Sequence, residues 1–169
     1  MAPVGAGSDT GVTIRPASAA DFDSIDAVHA ASVRELANGH YDVATIDDWA
    51  RTLDRDLFEQ AIATTEYFIA EAGGEAIGFA QLDPGAGEVK MLYVHPRWAG
   101  RGIGRRLLDE LEGIARERGL ERLWLRASLN AVAFYARCDW REVERVTHTL
   151  RTGREVPCAR MKKELASEP

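Results

Sequence analysis

Between Glu88 and Leu108 an apolar run, a proline stop and three alternating glycines follow one another directly, E-V-K-M-L-Y-V-H-P-R-W-A-G-R-G-I-G-R-R-L-L. That succession leaves few folds open. Val89 to Val94 has the β-branched and aromatic content of a buried strand. His95-Pro96 ends it, because proline has no N–H for a ladder and biases the residue before it toward extended geometry. Gly100, Gly102 and Gly104 lead into a helix with Ile103, Leu107, Leu108, Leu111 and Ile114 on one face.

A strand that delivers a glycine-rich turn to a helix N-terminus makes an anion site. The first N–H groups of the helix lack intrahelical partners, and glycines let a phosphate approach them. The spacing excludes two nucleotide motifs. A P-loop ends in Gly-Lys-Ser/Thr, and this loop has neither the lysine nor the hydroxyl. The dinucleotide fingerprint needs a third glycine where Leu107 stands. Arg97, Arg101, Arg105 and Arg106 flank the glycines, which favours an anion site over a plain strand–helix turn.

Y-V-H-P followed by A-G-R-G-I-G-R-R-L-L resembles the acyl-coenzyme A binding motif of the GNAT superfamily of N-acyltransferases. The usual pattern, Gln/Arg-x-x-Gly-x-Gly/Ala, falls on Ala99, Gly102 and Gly104, and Ala99 departs from it while keeping its backbone N–H. A second stretch, Ser128 to Tyr135 ending in Cys138-Asp139-Trp140, resembles the superfamily's downstream Asn-x-x-Ala-x-x-Phe/Leu-Tyr motif, shortened by one spacer. From the residues alone Asn130 is a helix cap and Tyr135 a core tyrosine. The resemblance implies instead that Asn130 bonds the coenzyme and that Tyr135 faces its sulfur. It also implies a coenzyme site built from Leu92, Tyr93 and Val94, from Arg97, Ala99, Gly100, Arg101 and Gly102, from Ile103, Gly104 and Arg105, and from Phe134. Asp139 stands where the family prefers glycine, at a position that commonly needs a left-handed backbone.

At 169 residues and 46% hydrophobic content the chain can bury a full core, which suits one domain over 12–165 behind a disordered tail at 1–11. A net charge of −6 argues against nucleic-acid binding. No apolar stretch reaches membrane-spanning length, and the N-terminus lacks the charged and apolar regions of a signal peptide. Cys138 and Cys158 have no metal or redox spacing, so no metal is expected and the location expected is cytoplasmic. A homodimer is left open.

In chain order, Val12 to Arg15 reads as a strand, and Ser18-x-x-Asp21 as a capping box for a helix that turns Phe22, Ile25, Val28 and Leu36 inward. His29 reads as a half-exposed residue on that helix. Thr45-x-x-Asp48 opens a second helical stretch with Trp49, Leu53, Leu57 and Ala61 on one face. Its acids, Asp42, Asp47, Asp48, Asp54, Asp56 and Glu59, make either a solvated face or an electronegative wall for a cationic acceptor. A hairpin turning at Gly73-Gly74, the central strand, the long helix to Gly119, a strand at Leu123 to Ala127, a short helix at Asn130 to Arg137 and a terminal hairpin around Thr152-Gly153 complete the chain. The order matches the superfamily's α/β (α+β) architecture, a mixed and mainly antiparallel central sheet flanked by helices with a splayed central strand pair.

The reading is an N-acetyltransferase that moves the acetyl group of acetyl-CoA to a primary amine of a small molecule or peptide by direct attack in a ternary complex. A bulge at the end of the central strand would splay it from its neighbour and free backbone groups of Leu92 and Val94 for the pantetheine arm. Tyr135 serves the leaving sulfur. An alkylamine with a pKa of about 10.4 must first lose a proton, and Glu88 is a candidate base. In proteins of this resemblance the first two helices and their loop line the acceptor site, which brings in His40, Tyr41 and Trp49. Two rivals remain: a catalytically silent coenzyme A-binding regulatory module, and a phosphate-binding α/β protein without acyl chemistry.

Overall fold

The computed structural model describes residues 11–166 except residue 52. The tail expected over 1–11 therefore lies, apart from Gly11, outside the described residues. Seven strands form one sheet in the order β1-β2-β3-β4-β5-β7-β6, where β1 is Val12–Pro16, β2 Glu66–Ala72, β3 Glu75–Asp83, β4 Glu88–Val94, β5 Arg122–Ser128, β6 Arg141–Thr149 and β7 Glu155–Glu164. Every pairing is antiparallel except β4 with β5. This is the mixed, mainly antiparallel sheet expected. The hairpin of β2 and β3 turns on Gly73 and Gly74, both at positive φ, as a two-residue turn matched to strand twist requires.

Helices cover both faces. Helix α4, Ile103–Glu117, lays Leu107, Leu108 and Leu111 on one face of the sheet against Leu123, Leu125 and Met161. Each is essentially fully buried, and burial of such a side chain stabilises by about 1.5–3 kcal/mol. On the other face α1, Phe22–Leu36, packs Phe22, Ile25 and Val28 against Ile69, Tyr67 and Phe79. His29 shares this inner side at 3% exposure, so it is a buried residue and not the half-exposed one expected.

The single helical stretch expected after Gly39 is two helices, α2 (Val43–Trp49) and α3 (Arg55–Thr64). The caps explain the break. The Asp42 carboxylate accepts from the Thr45 N–H at 2.7 Å, and Asp54 accepts from the Leu57 N–H at 3.1 Å. Asp42, not Thr45, therefore opens the first, and Asp54 opens a fresh one.

The splay of β4 from β5 is present, but its cause lies at the start of β4 and not at its end. Only Glu88 and Val89 pair with β5, opposite Trp124 and Leu125. On the β3 side the register runs from Val89↔Leu82 to Met91↔Gln81, so Lys90 is an extra residue, a bulge. The bulge shifts the alternation by one. Glu88, Met91 and Tyr93 then face the α1 side, while Leu92 and Val94 pack toward α4.

Candidate active site

The glycine loop becomes a cradle through its backbone. Gly102, the residue before α4, is left-handed at φ 81°, and Gly100 is at φ 75°. The first helical bond runs from the Arg106 N–H to the Gly102 carbonyl at 3.1 Å, so the N–H groups of Ile103, Gly104 and Arg105 precede any intrahelical partner. The Ile103 side chain is buried in the core, leaving only its backbone for a ligand. The Ala99 N–H already donates to Pro96 at 3.2 Å and is a weaker member of the cradle than the sequence suggests. Arg97 is exposed, Arg101 stacks on the Trp98 ring at 5.0 Å, and Arg105 pairs with Asp109 at 3.0 Å.

The short helix α5, Val132–Arg137, stands beside this turn. Gly104 meets Phe134, whose ring also contacts that of Tyr135 at 5.1 Å. Asn130 caps nothing: Ser128 and Ala131 hold the cap positions nearby, and the Asn130 Oδ1 is buried without a hydrogen-bond partner. A buried amide oxygen with no partner is costly unless something else supplies a donor. Asp139, just past α5, has φ 67°, the one positive value outside glycine among the described residues.

Between β4 and β5 the sheet opens. The His95 N–H donates to Ile77 at 2.8 Å, and in an antiparallel ladder the bonded residues alternate, so Tyr93 also bonds to β3 while Leu92 and Val94 turn their polar groups the other way. With strand pairing to β5 ended at Val89, those groups face the gap. Tyr135 stands at the α4 side of the gap with 6% exposure, and its hydroxyl makes no hydrogen bond among the described residues. Burial, with Tyr93 nearby, pushes that hydroxyl well above its ordinary pKa, so it remains a proton donor.

On the α1 side lies a cavity of about 650 Å³, within the range of small-molecule sites. Glu88, Tyr93, Trp49 and His29 line it, together with His148 on β6. The Glu88 carboxylate is buried, with Arg126 at 3.3 Å and Lys90 at 3.5 Å. Burial pushes Tyr93 up to about 12 and His29 down to about 4, and the His29 ring meets Tyr93 edge-on at 4.8 Å. His148 is also lowered, first by burial and then by Arg126, against the pull of Glu88. His29 and His148 are thus neutral imidazoles at pH 7.

His40 is exposed and lies outside the cavity lining. Tyr41 is a tie: its hydroxyl donates to the Pro157 carbonyl at 2.7 Å and accepts from the Leu129 N–H at 2.8 Å, joining the helix loop to the strand ends beside Asn130. Four of the six acids of the acidic stretch are engaged within the fold, while Asp56 and Glu59 lie exposed on α3. Asp42 and Asp54 cap helices, Asp47 pairs with Arg34, and Asp48 pairs with Arg51 and Arg154. His148 and the bulged Lys90 are cavity residues the sequence did not single out.

A model of the acetyltransferase (GNAT) family matches residues 31–140. An N-acetyltransferase from Archaeoglobus fulgidus is 32% identical over 147 residues, 78% of this chain and 94% of that one. A crystal structure of a GCN5-related N-acetyltransferase from Rhodopseudomonas palustris is 31% identical, with a TM-score of 0.87 over 95% of this chain and all of that one. An N-acetyltransferase from Thermoplasma acidophilum, solved in complex with coenzyme A, shares the fold at TM-score 0.72 and 23% identity. The family model spans more than half of the chain, and the chain belongs to the GNAT acetyltransferase family.

Proposed function

We propose that the chain transfers the acetyl group of acetyl-coenzyme A to a primary amine by direct attack within a ternary complex. The observation that carries this reading is the Asn130 Oδ1, buried and unpartnered beside a gap lined by strand groups that pair with no strand. Those residues fit a pantetheine arm, which offers amide N–H and C=O groups spaced like an added strand. The N–H groups of Ile103, Gly104 and Arg105 would hold the pyrophosphate at the α4 N-terminus. Bound acetyl-coenzyme A supplies the acetyl group as a thioester, already activated for attack by nitrogen.

The chain's own residues divide the remaining work. Backbone N–H groups of Leu92 and Val94 orient the acyl end in the gap. Tyr135 is held protonated by burial, and a thiol of ordinary pKa about 8.5 is the stronger acid, so its Oη stabilises the departing sulfur by donating a hydrogen bond rather than by surrendering the proton. Glu88 takes the proton of the incoming amine from the opposite side of the sheet, with neutral His148 on the same cavity. The coenzyme and the amine thus enter from different faces, and both sites are open at once. Initial-velocity measurements varying both substrates should give intersecting lines. Parallel lines, the signature of an acetylated enzyme, would contradict direct attack.

A further inference from the structure

We propose, building on the acyl-transfer reading above, that the acceptor is a small monoamine on an apolar, flat body, not a polycation and not an extended peptide. The cavity contains four carboxylates, Asp48, Asp54, Asp83 and Glu88, and four cations, Arg51, Lys90, Arg126 and Arg151, so its charge is formally zero. Each carboxylate is already engaged. Asp48 pairs with Arg51 and Arg154, Asp54 with Arg151, and Glu88 with Arg126 and Lys90, while Asp83 accepts from the N–H groups of Gly85 and Ala86. Glu88 can receive one amine. The cations match the carboxylates one for one, so the lining carries no net negative charge to draw a second or third ammonium.

The remaining wall is apolar. Trp49, Leu53, Met91 and Tyr93 are half-buried on it, and Leu57, 56% exposed, is one of three large apolar side chains so exposed among the described residues. Aromatic faces of this kind favour a flat hydrocarbon and tolerate one cation. Size then argues against a peptide, since a cavity of about 650 Å³ is of small-molecule dimensions. Arg151–Asp54 at 3.0 Å and Arg154–Asp48 at 2.6 Å hold the β6–β7 hairpin to the start of α3 and the end of α2 beside it. A hexapeptide, roughly 20 Å when extended, is longer than a cavity of that volume is wide.

The test titrates the protein saturated with coenzyme A by calorimetry, using 2-phenylethylamine, spermidine, tobramycin and an alanine-rich hexapeptide. The expected result is 2-phenylethylamine binding at least 10-fold tighter than the others. In Leu57→Glu, which adds a carboxylate at an exposed position, spermidine should gain about 10-fold and 2-phenylethylamine should weaken. Spermidine, tobramycin or the peptide binding as well as 2-phenylethylamine would overturn the assignment, as would an unchanged preference in Leu57→Glu. If coenzyme A binds and no amine does, the acceptor assignment falls and the coenzyme site stands. If coenzyme A itself does not bind, the acyl-transfer reading fails and this inference goes with it.

Discussion

A Cβ built on Gly104 would lie 3.2 Å from Cζ of Phe134, closer than side chains normally pack, so the bare backbone at residue 104 lets the first turn of α4 approach α5 without displacing that ring. The glycine serves packing, and that packing positions the helix that carries Tyr135. Gly104→Ala asks the ring to move by a few tenths of an ångström and should cost less than about 1 kcal/mol. Gly104→Val should cost roughly 1–3 kcal/mol and lower kcat together with stability. Urea unfolding and steady-state kinetics check both. A Gly104→Val protein of unchanged stability would mean the contact is loose.

Glu112 should be the most sensitive surface-distant position. Its carboxylate, 3% exposed, accepts from Trp140 Nε1 at 3.1 Å and from Lys163 Nζ at 2.8 Å, joining α4 to the end of α5 and to β7. Glu112→Gln leaves the Lys163 ammonium without its counter-charge, at a cost of about 3–5 kcal/mol. Tm should fall by roughly 6–20 °C. Its exposed neighbour serves as control, since Glu110→Gln should change stability by no more than about 0.5 kcal/mol.

Local chemistry was legible in the sequence. Gly73-Gly74 needed positive φ, Asp139 took the left-handed position expected of it, and Gly100 and Gly102 lead into α4, with Gly104 in its first turn. What the sequence concealed was tertiary. His29 looks like any polar residue on an amphipathic helix until β3 and β4 close over it. His148 sits in the plain alternation Val146-Thr147-His148-Thr149, and only the folding of β6 beside β7 brings it to the cavity of Glu88. The bulge at Lys90 has no glycine to announce it. The break between α2 and α3 did leave a signal, Asp54 ahead of Arg55-Asp56-Leu57, which is a helix start in its own right.

His29 makes stability depend on pH. Its folded pKa, lowered to about 4 from 6.5, means that between those values the unfolded chain binds the proton and the folded one does not. Stability is therefore full above pH 6.5 and falls as pH drops toward 4, by about 3 kcal/mol. Urea midpoints taken from pH 7 to 4 should show this slope, and His29→Leu should reduce it, leaving the smaller part that lowered His148 supplies. Asp21, lowered to about 2 by Arg15, loses its contribution only below pH 3.8, so the two steps separate. An undiminished slope in His29→Leu would assign it to another group.

Tyr135→Phe keeps the ring that packs on Phe134 and Trp140, so fold and coenzyme affinity should hold. A hydrogen bond to the departing sulfur matters only late in the reaction, and kcat should fall by about 10²-fold with the amine KM nearly unchanged. The loss should shrink for an acyl donor whose thiol is more acidic. Equal kcat with chemistry rate-limiting would return Tyr135 to the core.

The coenzyme site is tested most directly by thermal unfolding with and without acetyl-coenzyme A, in the natural chain and in Gly102→Asp. No atom lies within 4 Å of a Cβ at Gly102, and Asp tolerates a left-handed backbone, so the variant should fold while its carboxylate repels the pyrophosphate. At 100 times its dissociation constant the coenzyme should add about 2.7 kcal/mol, raising Tm by about 5–10 °C in the natural chain and by little in the folded variant. No shift in the natural chain, or the same shift in both, would contradict a cradle at Gly102.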